Sequence, residues 1–308
     1  VASGWAGVEV LTSGQGGWAP SYTYSIPRLP ASGVASWENM VVLGGSDLKL
    51  YDITNPEHPN LVLTQDLQTS VKAIVGAGSY ILCLSKTGIG LRKMDKLGEE
   101  IATLKTQGIQ LCYDTVLQRA YVLGEQEKKS FVQRLKVYSN SLQVEKTIDL
   151  PKGVSRAVAN NGLLLCSSLN DLYLYSVTDN VEQIGTRHFE NLAARDFAIS
   201  EQQVIATFID QQSKGFFLVL SKDQKDMRVI GSVDLPHDGT AVAVQGKRAI
   251  TTGRTPDNKS VASIVDFTTP SAPRVIATIP VVESASAVTI RDRVAIVVGR
   301  GLEILSLS

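Results

Sequence analysis

Charge of one sign is what this sequence most plainly lacks: 30 Lys and Arg balance 30 Asp and Glu across 308 residues, for a formal net charge of zero. Nucleic-acid binding draws on a surplus of cations that releases counterions from phosphates, so this balance argues against that class. It gives no electrostatic hold on an anionic membrane either. Apolar runs of the roughly 18 to 20 residues that a transmembrane helix needs are also missing. The longest, such as 163–166 and 294–298, have strand length. Cysteine is scarce: Cys83, Cys112 and Cys166 each sit in a short apolar run without CxxC spacing. They read as buried thiols, and neither a disulfide framework nor a zinc site is expected. Only His58, His188 and His237 represent histidine, too few and too dispersed for a metal cluster. No Ser-His-Asp order, P-loop or dinucleotide GxGxxG is present. The expectation is a chain with no catalytic residues, no metal and no cofactor.

What is there is alternation at period two and an internal repeat. Tyr51-Asp-Ile-Thr-Asn-Pro-Glu-His-Pro59 aligns with Val265-Asp-Phe-Thr-Thr-Pro-Ser-Ala-Pro273, matching Asp52 with Asp266, Thr54 with Thr268, Pro56 with Pro270 and Pro59 with Pro273. The copies lie about 214 residues apart, room for five steps of about 43. Strand-like segments before the turn recur at 48–51, 90–94, 135–138, 172–175, 217–220, 262–265 and 302–305. Segments after it recur six times, and each unit carries two earlier strands, as at 70–75 and 80–84. In the fourth unit these are joined through Asn160-Asn-Gly162, a tight hairpin signal. Four short strands per unit with almost no helical periodicity predict an all-β, seven-bladed β-propeller.

One fourth strand is missing, and 22–26 supplies it from the other end of the chain. A blade exposes apolar faces on both sides, and only neighbours bury them. The sequence therefore predicts a ring closed by an N-terminal strand against 302–305. Gly7-Val-Glu-Val-Leu11 competes with Gly301-Leu-Glu-Ile-Leu305 for the same place, and the C-terminal copy takes it because it follows its inner strands without a break. The organisation read from this is a segment over 1–20, with an outlying strand, and a single propeller domain over 21–308. The chain opens at Val1, as expected of a removed leader or a longer parent.

The Asp52 and Asp266 turns resemble the LVIVD-repeat family of bacterial and archaeal propellers, whose repeat reads strand, Asp, x, Ser/Thr, x, Pro, x, x, Pro. Two units keep the motif, and five keep only the strands. The resemblance implies an exported, periplasmic or cell-surface propeller and no particular activity. WD-type blades fit poorly, since Trp5, Trp18 and Trp37 all lie near the start. Asp52 and Asp266 themselves read as turn-formers that accept backbone N–H groups.

Function is read from loops. The crossovers between units carry Arg156, Arg195, Asp196, His237, Asp238 and Glu283, placed as ligand-binding candidates around the mouth of the central channel. Three second-to-third-strand connections read as long: 125–130, 210–215 and 254–259. They share that face and bring Glu125, Lys128, Lys129, Lys214, Arg254 and Lys259 as protein-binding candidates. The leading expectation is a non-enzymatic scaffold in a cell-surface or periplasmic assembly, with another protein as partner. The alternative is an enzyme or small-ligand binder using the channel mouth.

Overall fold

The computed structural model describes residues 20–27, 33–56, 58–67, 69–222, 225–291 and 294–307. The segment 1–19, including the strand-like 7–11, lies outside them. Among the described residues, twenty-eight strands form seven four-stranded antiparallel sheets. Blade 1 holds β2 (Gly33–Trp37), β3 (Met40–Gly44), β4 (Asp47–Asp52) and β5 (Asn60–Asp66). Blades 2 to 6 repeat the order, opening with the inner strands β6 (Val71–Ala77), β10 (Gln110–Asp114), β14 (Arg156–Asn160), β18 (Leu192–Ile199) and β22 (Ala241–Gln245). Blade 7 joins β26 (Ala287–Arg291), β27 (Val294–Val298) and β28 (Gly301–Leu307) to β1 (Pro20–Pro27) from the other end of the chain. Thr23 pairs with Leu305 and Ile26 with Leu302. The predicted closure is present, and 301–305 holds the third-strand place.

Burial explains why strands of one blade look so different in sequence. Second strands are enclosed by neighbouring blades on both faces, so they read as unbroken apolar runs: Ile81 to Leu84 are all buried. Fourth strands face solvent at the rim. In β13 (Leu142–Asp149) only Ile148 is buried, Leu142 is half-buried, and the other six residues are exposed.

Apolar residues gather in seven clusters, one between each pair of adjacent blades. The cluster that shuts the ring joins Ile296, Val298, Leu302 and Ile304 of blade 7 to Val41, Leu43 and Tyr51 of blade 1. Each such side chain contributes about 1.5–3 kcal/mol when withdrawn from water. Inner strands touch their neighbours all the way round, including β2 against β26.

The repeat is more regular than its prolines suggest. In blades 1, 3, 4, 5 and 6 the third-to-fourth pairing shifts register once, at Leu50/Tyr51 in blade 1 and Ile264/Val265 in blade 6, for example, and in blade 2 it shifts twice. The two proline turns share the same two hydrogen bonds from backbone N–H groups. Asp52 Oδ1 accepts from Thr54 N at 2.8 Å, and Asp266 Oδ1 from Thr268 N at 2.8 Å. His58 N donates to Asn55 O, as Ala272 N does to Thr269 O. Both aspartates act as turn-formers. All three cysteines are buried and unbridged, and burial pushes the Cys83 and Cys112 thiols up to about 12.

Candidate functional site

Hydrogen bonds place the crossovers and the second-to-third-strand hairpins on one face. Asp238 N donates to Arg254 O, and Arg300 N to Glu283 O, each crossover being tied to the far end of a second strand in the blade it enters. This close approach needs a small residue there. A Cβ at Gly253 would press on His237 and Asp238, and one at Gly299 on Glu283 and Ser284. Gly253-Arg254 and Gly299-Arg300 are thus equivalent pairs, a repeat that the sequence reading missed although both lie in plain view.

Of the three connections read as long, 125–130 is a tight hairpin. Glu125 pairs with Ser130 and Gln126 with Lys129, leaving only Glu127 and Lys128 at the turn, with φ of 51° and 62°. That is the primed geometry of a two-residue hairpin, adopted here without Gly or Asn to announce it. The other two span four and five residues, 211–214 and 255–259, and are tied internally. Asp210 Oδ1 accepts from the N–H of Gln212 and of Lys214, and Thr255 N donates to Lys259 O. Lys214 pairs with Asp234 and Lys259 with Asp257. Arg254 reaches the Ser284 hydroxyl at 2.8 Å. Lys128 and Lys129 carry no ion pair among the described residues.

The channel-mouth candidates divide into pairs. Arg156 Nη1 lies 3.4 Å from Asp196 Oδ1 in the next blade, and Arg195 Nη2 lies 3.3 Å from Asp238 Oδ2. Asp196 Oδ2 also accepts from Val242 N at 2.8 Å, stitching blade 5 to blade 6. Burial raises its carboxyl above the usual range against the pull of Arg156. Asp238 Oδ1 accepts from Arg254 N and Thr240 Oγ1. Glu283 forms an exposed pair with Arg300.

His237 sits in the wall beneath its crossover, 2% exposed. Its Nδ1 accepts from Gly239 N at 3.1 Å, so the ring proton sits on Nε2 and is donated to Thr251 Oγ1, also 3.1 Å away. Both nitrogens are used, and neither serves Asp238. Burial pulls the imidazole down to about 4. The remaining histidines lie outward: His188 is exposed and meets Asp171 at 2.7 Å, and His58 is exposed in its turn. Among the described residues no three His, Cys, Asp or Glu side chains are placed to share a metal ion.

Two ionisable groups went unnoticed in the sequence. Asp114 is fully buried yet satisfied by the N–H groups of Val116, Leu117 and Gly162. Glu303 is buried in the third strand of blade 7 and accepts from Val282 N at 2.6 Å. Burial pushes its carboxyl up to about 7. Polar residues inside an alternating strand give no sign of which face they take until the neighbouring crossover is known.

Compared with known proteins, the chain matches no family model and no curated protein. Solved structures match in shape. A chain of the mitotic checkpoint complex superposes with a TM-score of 0.72 at 12% identity, covering 93% of this chain and 91% of that one. BamB from Moraxella catarrhalis gives 0.58 at 11%, covering 90% and 85%. The computationally designed Ika8 protein gives 0.55 at 11%, covering 91% and 96%. The likeness is one of fold. Chains matching this shape number 893, so the propeller architecture by itself selects no function among them.

Within the propeller, His237 and Glu303 each anchor a crossover, and they should answer pH in opposite senses. A histidine held neutral takes up a proton on unfolding, so folding gains as pH rises from about 4 towards the ordinary 6.5. Glu303 keeps its proton up to about 7 when folded but loses it near 4.5 when unfolded. Its contribution is therefore present at low pH and lost as pH rises through 7. Relative to wild type, His237→Asn should lose stability with rising pH across this window, and Glu303→Gln should gain it, each by about 3 kcal/mol. Urea unfolding at several pH values measures both slopes. Parallel slopes in all three proteins would show that neither group is held as described.

Proposed function

We propose that this propeller is a non-enzymatic protein-interaction scaffold whose contact surface is the crossover face. The observation that carries the reading is two exposed apolar side chains on that face, one of them beside an arginine. Leu169, at the tip of a blade 4 hairpin, is 68% exposed, and its carbonyl accepts from Ala194 N beside Arg195. Ile109, 45% exposed, leads into blade 3 on the same face. Large apolar side chains beside arginine are the composition of contact surfaces rather than of ordinary solvated loops. The rim around them is preformed by the hydrogen bonds described above, which lowers the ordering cost of association. The checkpoint-complex chain is a component of an assembly, and scaffolding of that kind suits this fold.

Membership of the LVIVD-repeat family is part of the proposal, supported by the two matching turns. With it come an exported, periplasmic or cell-surface location and a single domain over 21–308. No helix among the described residues is long and apolar enough to cross a membrane. The alternative, a catalytic or small-ligand mouth, loses its main support with His237 enclosed and both its nitrogens engaged.

Two variants test the reading by affinity capture from the native organism. Leu169→Asp should abolish partner capture, and so should joint neutralisation of Lys128, Lys129, Arg254 and Lys259, with circular dichroism unchanged. Surface changes of this kind alter stability by about 0.5 kcal/mol or less. Undiminished capture by both variants would remove the crossover face from the account.

A further inference from the structure

Two inner strands carry a β-bulge, and each places a cation at the extra residue. In β6 the pairing runs from Val71↔Ser85 to Ala73↔Leu84, leaving Lys72 over. In β18 it runs from Ala194↔Phe208 to Asp196↔Thr207, leaving Arg195 over. A bulge re-aims the side chain it carries and costs ladder hydrogen bonds, and no other inner strand shows one. Both bulges lie at the crossover end. Lys72 Nζ donates to Gly108 O in the next crossover at 3.2 Å, and Arg195 reaches Asp238 in its own next crossover. Between them on the ring, Arg156 opens β14 and leans the same way, onto Asp196.

These cations are only partly engaged. Arg156 and Arg195 each meet one carboxylate oxygen through one nitrogen, at 3.4 and 3.3 Å, and their side chains are 41% and 37% exposed. The carboxylates are committed elsewhere, Asp196 to Val242 N and Asp238 to Arg254 N and Thr240 Oγ1. A guanidinium offers five N–H donors in a fork that fits a carboxylate in bidentate fashion, so most of the donor capacity of both arginines is unspent. One step below the bulges, Gln110, Arg156 and Asp196 occupy equivalent places on three consecutive blades. The other four blades have only Gly33, Ala73, Ala241 and Ala287 there. The inner wall therefore carries small side chains on one side and polar ones, Arg156 among them, on the other.

We propose that the channel mouth receives an acidic segment of the partner protein, whose carboxylates are held by Arg156 and Arg195 with Lys72 adding charge. This rests on the scaffold reading and gives it a partner chemistry. A protein segment suits the site better than a free anion because exposed Leu169 is bonded to Ala194 beside Arg195, and exposed Ile109 follows the Gly108 that Lys72 reaches. A chain bearing both acidic and apolar residues can use both, whereas inorganic phosphate cannot.

The test is fluorescence anisotropy with a labelled oligoglutamate peptide, a labelled oligolysine peptide measured separately, and inorganic phosphate as competitor. The intact protein should bind oligoglutamate in a salt-sensitive manner and should not take up oligolysine. Arg156→Gln with Arg195→Gln should weaken oligoglutamate binding about tenfold or more, whereas Lys247→Gln, in a turn on the opposite face, should not. Failure to bind oligoglutamate, or equal binding by the double variant, would overturn the proposal. So would displacement by phosphate at equal concentration of charge, which would mark a small-anion site. Affinity capture separates the two levels: a partner still captured through the Leu169 surface while oligoglutamate fails to bind leaves the scaffold standing and removes only the acidic segment.

Discussion

Deleting residues 1–27 is expected to yield a chain that aggregates, or that melts far below the full-length protein. The deletion strips β1 from β28, where six residue pairs run from Pro20↔Leu307 to Pro27↔Gly301. Prolines donate no hydrogen bond, so the ladder is somewhat weaker than its length implies. At about 1 kcal/mol for each remaining bond, the loss is still several kcal/mol against a total stability of about 5–15 kcal/mol for a typical domain. What remains is worse than weakened. β28 becomes an open edge with unpaired N–H and C=O groups, the template on which sheets join between molecules. The chain also loses the tie that holds blade 7 to the start of blade 1. Differential scanning calorimetry with light scattering reads both effects. An unchanged melting temperature and a monodisperse truncated protein would mean that the apolar cluster between blades 7 and 1 closes the ring unaided.

Gly215→Val should be the most damaging single substitution on the crossover face. Gly215 opens β20 (Gly215–Ser221), and any Cβ there runs into the His237 carbonyl. The obstacle is backbone, so no rotamer change relieves it. Overpacking costs about 1–3 kcal/mol where side chains can give way, and this site should lie at or above the upper end. Displacing 236–240 would also move Asp238 away from Arg195 and His237 away from Thr251. A fall in the urea midpoint with loss of partner capture is expected. A midpoint within error of wild type would show that this crossover is free to shift and is not the fixed rim described here.

How much of this was legible depended on whether the determinant was local. Second strands were readable because enclosure on both faces writes an unbroken apolar run. The Asn161-Gly162 hairpin was readable because its turn, at φ of 52° and 74°, demands residues that tolerate positive φ. The Glu127-Lys128 hairpin has the same geometry without that chemistry, so its strands looked like a loop. His237 looked accessible because it stands beside charge in a Pro-His-Asp-Gly segment, and only the packing of that crossover on Thr251 encloses it. The bulges at Lys72 and Arg195 are invisible by nature: a bulge is a mismatch between two strands, and one strand alone cannot show it. The bonds that define the site, Arg156 to Asp196 and Arg195 to Asp238, join residues about one repeat apart, where only the closed ring brings them together.

If the crossover face is the working surface of the closed seven-bladed ring, as proposed, hydrogen exchange on the partner complex will reveal it. New protection is expected at 168–170, 193–196 and 236–240, with the turns at 78–79, 161–162 and 246–247 on the opposite face unchanged. Protection confined to those opposite turns, with the crossovers exchanging as in the free protein, would contradict it.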